Sequence, residues 1–142
     1  TRARNAVQGA VVRGDLPSSY SARKLGRHTT GHAGGSQNLT LKSRLTQPGD
    51  DLDAMLRKLQ RGVFVTELMG QGVNYVTGDY SRGAAGFWVE NGRIACPVHE
   101  ITIAGNLGRM LKDIVAVGAD AYTYGAKTTG SILIEKMKIA GL

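Results

Sequence analysis

Three kinds of residue in this chain have types and spacings suited to chemistry. His28-Thr29-Thr30-Gly31-His32 sets two imidazoles four apart, the spacing that puts both on one face of a helix in zinc proteases. The context argues otherwise: Gly26, Gly31, Gly34 and Gly35 disfavour a helix, and no Glu follows His28 as general base, so these read as loop or interface histidines. Cys96 and His99 are three apart on an extended run, so they point to opposite faces unless Pro97 bends the chain. Ser81 lies beside Asp79 and Arg82, but no His is near and the Gly-x-Ser-x-Gly pattern is absent, which leaves a hydrogen-bonded turn. The Gly-rich segments Met69-Gly70-Gln71-Gly72 and Gly125-Ala126-Lys127-Thr128-Thr129-Gly130 lack the spacing of a phosphate loop. Gly mixed with Asp, Ser, Arg, Gln or Asn between strand-like runs does suit backbone turned toward a ligand or partner.

The elements that must position these groups follow from periodicity. Residues 6–14 read as a strand; Pro17-Ser18-Ser19 caps a short helix over 20–25, stopped by Gly26; residues 38–45 alternate as a strand. Asp50 or Asp51 caps a helix to about Arg61, with Leu52, Met55, Leu56 and Leu59 at i, i+3, i+4 and i+7. Strands are expected over 63–68, 73–77 and 84–90, the last turning at Asn91-Gly92 into 93–95 through a type I′ hairpin. Pro97 interrupts the next run, so 98–104 is either a new strand or one with an edge or bulge at its start. Gly105-Asn106 caps a second amphipathic helix ended by Gly118, and final strands fit 121–124 and 131–139. This order is α+β, a mostly antiparallel sheet with a few short crossing helices.

At 142 residues, 42% apolar and 20% charged, the chain is sized for one soluble domain. No run reaches the ~18 apolar residues of a membrane span, and no signal-peptide pattern opens it. Cys96 is alone, which rules out an internal disulfide framework and suits a reducing compartment. The net charge of +7 sits entirely within residues 1–45 and the rest is neutral. Because those bases are dispersed and only Tyr20 among the aromatics lies near them, they read as a solvated or subunit-facing edge rather than a nucleic-acid surface.

Residues 65–74 and 78–92, together with 19–26, 31–35, 38–41 and 100–106, resemble the C-terminal region of the TldD/PmbA family, on its PmbA (TldE) side. The resemblance runs from about Val7 to Gly141, its signatures in the family's order. It implies that residues 1–142 are the C-terminal domain of a protein about three times as long, whose N-terminal α/β portion is absent here. It also implies a cytoplasmic TldD–TldE heterodimer that trims or degrades unstructured peptides, with zinc on the TldD-like subunit, since the helical His-Glu-x-x-x-His motif of TldD proteins is absent from this chain. This chain is then expected to be a non-catalytic subunit without cofactor, metal ligands or catalytic residues of its own, and self-association is a further expectation. Carried over position by position, Gly70, Gln71, Gly72, Asn74, Asp79, Tyr80, Ser81 and Arg82 are the candidates for the substrate cleft or its subunit wall. A DNA gyrase modulator or nucleic-acid-binding module, a role attached to the family name, is the alternative.

Overall fold

The computed structural model describes residues 4–9, 11–33 and 37–141, in two units: residues 1–40 with 123–128, and residues 41–122 with 129–142. Within the first unit, β1 (Val7–Gln8) and β2 (Val11–Val12) form a hairpin where one strand over 6–14 was expected; Gly9, at φ 57°, reverses the chain. Helix α1 (Ser19–Lys24) is capped by Ser18, whose hydroxyl accepts from the Ser21 N–H at 3.2 Å. The strand expected over 38–45 shrinks to β3 (Leu39–Thr40), which runs parallel to β9 (Lys127–Thr129) in a small sheet of order β3-β9-β8, with β8 at Tyr122–Tyr124.

The second unit is built on a four-stranded antiparallel sheet, order β11-β6-β5-β4, of β4 (Gly62–Met69), β5 (Asp79–Glu90), β6 (Arg93–Asn106) and β11 (Lys138–Ala140). Helix α2 (Leu52–Leu59) precedes it, capped by Asp51 rather than Asp50, and buries Met55 and Leu56 as its periodicity requires. Asp50 instead accepts from Lys58 Nζ at 2.6 Å and from the Gln47 N–H at 3.0 Å, while its carbonyl accepts from the Ala119 N–H at 2.7 Å. The Lys58 hydrogen bond, followed by that of Gln47, holds its carboxyl below the usual carboxylate range.

Asn91 and Gly92, at φ 51° and 70°, make the expected two-residue turn between β5 and β6. Pro97 lies within β6, and the second of the two expected outcomes holds, since the strand has an edge there. The proline lies opposite Phe87, and β11 pairs with β6 only at 102–104, so around Pro97 the strand has one neighbour and the missing N–H leaves no ladder bond unmade. The β5–β6 pairing shifts twice: between Val89↔Ile94 and Trp88↔Cys96, which leaves Ala95 unmatched just before Pro97, and between Ala84↔Ile101 and Gly86↔Val98, where Ala85 faces the two residues His99 and Glu100 and Glu100 takes φ 55°. β4 carries its own shift on the other side, between Val65 and Glu67. The sheet thus bends at Ala85–Gly86. Ala84, Ile101 and Ile103 form the core there, with Val63, Val65, Tyr80, Val98 and Met137 packed against them.

Three further expectations change. Residues 73–77 form no strand, because the Asn74 side-chain oxygen accepts from the Val76 and Thr77 N–H groups at 2.9 and 3.2 Å and curls the chain; Val73 keeps a single bridge to Tyr80. The helix begun by Asn106 is only α3 (Leu107–Lys112). Ile114, with its β-branched neighbours, leaves it for β7 (Ile114–Val117), which pairs with β10 (Ile132–Ile134). Residues 131–139 therefore divide between β10 and β11, which belong to different sheets.

Candidate functional site

The eight candidate residues come together at the Asp79 end of β5. The chain leaves β4 at Met69, doubles back, and lays 72–74 beside 79–81: the Ser81 N–H donates to the Gly72 carbonyl at 2.7 Å and the Asn74 N–H to the Asp79 carbonyl at 2.8 Å. Gly72 is required by this approach, since a Cβ there would fall 1.7 Å from the Ser81 carbonyl oxygen. Thr77 donates its hydroxyl to the Asp79 carboxylate at 2.8 Å, and the Gly78 N–H donates to the Asn74 carbonyl at 2.8 Å.

Thr77, Gly78 and Asn106 are the members that sequence spacing did not supply to the site. Asn106 caps α3 through its side-chain oxygen, 3.1 Å from the Gly108 N–H, while its Nδ2 donates to the Thr77 carbonyl at 2.9 Å; the Leu107 N–H donates to the Gly78 carbonyl at 2.7 Å. The cap was legible, because Asn before an apolar periodic run is a helix start. Its second bond depends on the β5–β6 register that puts Asp79 opposite Asn106.

Asn74 and Asp79 are thus engaged in holding the loop, and Gly72 in its close approach. The side chains of Gln71 and Ser81 are exposed, and the loop tip carries Tyr75 and Val76 at 88% and 96% exposure. Tyr80 and Arg82 are half-buried and share, by strand alternation and the Arg82↔Ile103 register, the sheet face of Ala84, Ile101 and Ile103. Arg82 donates from Nη2 to the Leu68 carbonyl only at 3.5 Å, and its Nε is buried with no partner. Beside this site, β4 is an edge strand, hydrogen-bonded to β5 on one side only among the described residues.

Elsewhere in the second unit, Asp53, Leu56, Arg57, Gln60 and the Asn91–Ile94 hairpin tip line a groove of about 620 Å³. Asp120 accepts from the Ser131 N–H at 2.8 Å and from its hydroxyl at 2.5 Å, which ties the start of β10 to the 118–120 turn. Cys96 is exposed on β6. In the first unit His28 lies in a loop as expected, and His32 Nδ1 and Thr30 Oγ1 are buried without partners; Gly34 and Gly35 of the same motif lie outside the described residues. Among the described residues, no three of His, Cys, Asp or Glu stand close enough to hold a metal ion. No helix among them is long and apolar enough to cross a membrane.

The described residues thus form an α+β unit with an open edge strand beside a Gly-built loop. The chain belongs to the PmbA/TldA metallopeptidase family, whose C-terminal domain pattern matches residues 1–141. It is 53% identical over 141 residues to a metalloprotease PmbA homolog of Haemophilus influenzae and 52% identical over 141 to metalloprotease PmbA of Escherichia coli O157:H7, in each case over 99% of this chain. The chain spans 31% and 30% of the length of those relatives. Among solved structures, a Thermotoga maritima protein named as a modulator of a DNA gyrase is similar at TM-score 0.81 and 36% identity, over 95% of this chain and 32% of that one. A Bacteroides thetaiotaomicron protein of similar name matches at TM-score 0.84 and 29% identity, over 98% and 30%. The metal that this family name implies does not fit the described residues of this chain, which bring no ligand set together.

Proposed function

We propose that this chain is the C-terminal domain of a PmbA/TldE-like subunit that serves, without a catalytic centre of its own, in a TldD–TldE-type zinc metalloprotease acting on unstructured peptides. The observation that carries this reading is the free edge of β4 beside the 70–82 loop, in a metallopeptidase-family chain whose described residues assemble no metal-ligand group. An edge strand presents unpaired N–H and C=O groups on alternate residues, and an extended peptide pairs with them whatever its side chains. Folded proteins have their backbone groups already paired and are rejected. Hydrolysis itself needs an activated water and a stabilised oxyanion, which the TldD-like subunit would supply with its zinc. The cytoplasm is the compartment proposed for the pair.

The test is cleavage of an unstructured peptide by the full-length protein, by its TldD-like partner, and by the mixture, each with and without chelator. Chelator-sensitive cleavage that appears only in the mixture is expected; robust cleavage by the isolated protein, free of partner, overturns the reading. The names of the two similar structures favour a second reading, modulation of DNA gyrase, together with the basic first third of the sequence. Salt separates the two: binding to nucleic acid through phosphates weakens steeply with added salt, and strand addition much less.

A further inference from the structure

We infer that Arg82, with Tyr80 beside it, is a carboxylate-receiving position for a polypeptide bound at the β4–β5 end of the sheet. The inference rests on the cleft reading above and adds to it a chemical preference. A guanidinium offers five N–H donors in a planar fork matched to a carboxylate. Here the one contact formed is long, Nη2 to the Leu68 carbonyl at 3.5 Å, and Nε is buried and unpartnered. No Asp or Glu among the described residues forms an ion pair with it.

A half-buried guanidinium held by one long contact is under-satisfied where it stands, and a carboxylate brought by another chain to its outer N–H groups supplies an acceptor. The position selects the acceptor. Arg82 lies on the apolar face opposite Ile103, with Tyr80 two residues away on the same side, so its ligand meets guanidinium N–H donors beside a hydrocarbon floor. Leu68, whose carbonyl it reaches toward, lies one residue before the end of the β4 edge. A strand added to that edge would therefore bring a carboxylate to Arg82 either from its C-terminus or from an Asp or Glu side chain.

Binding of three fluorescent, unstructured peptides of one neutral sequence to the full-length protein tests this: a free C-terminal acid, its amide, and the amide with one internal Glu. The amide is expected to bind weakly, and at least one acid-bearing peptide about tenfold more tightly, the scale of one charge-assisted hydrogen bond. Arg82→Gln is expected to erase that difference, and Arg82→Lys to restore part of it. A gain for the free acid alone identifies the peptide terminus, and a gain for Glu alone a side chain. Equal binding of all three by the unsubstituted protein overturns the assignment, as does an Arg82→Gln loss as large for the amide as for the acids. Failure of the amide alone to bind, with Arg82-dependent binding of an acid, overturns sequence-independent strand addition and leaves the Arg82 assignment standing. If no peptide binds, both fall.

Discussion

At its Glu90 end β5 runs into the Asn91–Gly92 turn, where the Gly92 N–H donates to the Gln60 carbonyl at 2.9 Å and a Cβ on Gly92 would stand 2.9 Å from the Arg57 Cα, so that α2 lies directly on the hairpin. Val89 is fully buried there. At its Asp79 end the same strand meets a loop that closes on itself by backbone and Asx hydrogen bonds, and that leaves Tyr75 and Val76 in solvent and the Arg82 Nε unpaired. Both ends are ordered. The difference is that α2 packs onto the hairpin and buries Val89 at the first end, while at the second the hydrogen bonds close only the loop's own frame. Groups left over on a rigid frame are what a binding site needs, because little ordering remains to oppose association.

Substitutions can break or sharpen this contrast. The largest effect is expected at the bend between the two ends: a Cβ on Gly86 would fall 2.0 Å from the Phe64 carbonyl oxygen and 3.0 Å from the Val65 Cα, against backbone that cannot move aside. Gly86→Val should cost about 3 kcal/mol or more and lower the thermal midpoint sharply. Gly83→Val, where the added Cβ would meet the Met69 Cβ at 3.4 Å, should cost less. Equal midpoints for the two variants would contradict the bend. Impaired peptide processing by Gly83→Val in the reconstituted pair, with α2 intact by hydrogen exchange, would tie the sheet to function.

An intermediate effect compares one chemistry at both ends. Val89→Ala removes methyl groups from a fully buried site and should cost about 2 kcal/mol, whereas Val76→Ala, at 96% exposure, should stay within about 0.5 kcal/mol. Denaturant titration measures both. If Val76→Ala also weakens peptide binding, the loop tip is part of the site.

The smallest effect concerns the loop that leads into α2. The carboxyl of Asp50 has a lowered pKa in the folded protein, so the folded state holds this group ionised more readily than the unfolded chain does. Its contribution is therefore present above the unfolded carboxylate range, near pH 4, and is lost as pH falls through the lower folded value. Partial exposure of Lys58 keeps the effect modest. Asp50→Asn should lower the denaturation midpoint at neutral pH, and its deficit should shrink as the solution is acidified below about pH 4. A deficit independent of pH would assign the role to the Asp50 backbone and its bond from Ala119.

Comparison with the sequence shows where local information ends. The α2 stripe, the Ser18 and Asn106 caps and the Asn91–Gly92 turn were legible because each depends on residues within one turn or one hairpin. The short α3 and the separation of β10 from β11 were not, since each is decided by a partner far along the chain: β10 for β7 and β6 for β11. Residues 73–77 misled for a local reason, as one Asn74 side chain outcompeted the strand alternation.

By itself the sequence determined the class of fold, the family, and which eight residues to examine, because those rest on residue type and order. Only the tertiary structure decided their parts. It placed Thr77 and Asn106 against Asp79, committed Asn74 and Gly72 to holding the loop, and left Arg82 beside Tyr80 on an apolar face with its Nε unmatched. The physical reason is that a hydrogen-bonding group's role depends on whether a partner is within about 3 Å, and across a sheet that distance is set by strand register rather than by sequence separation.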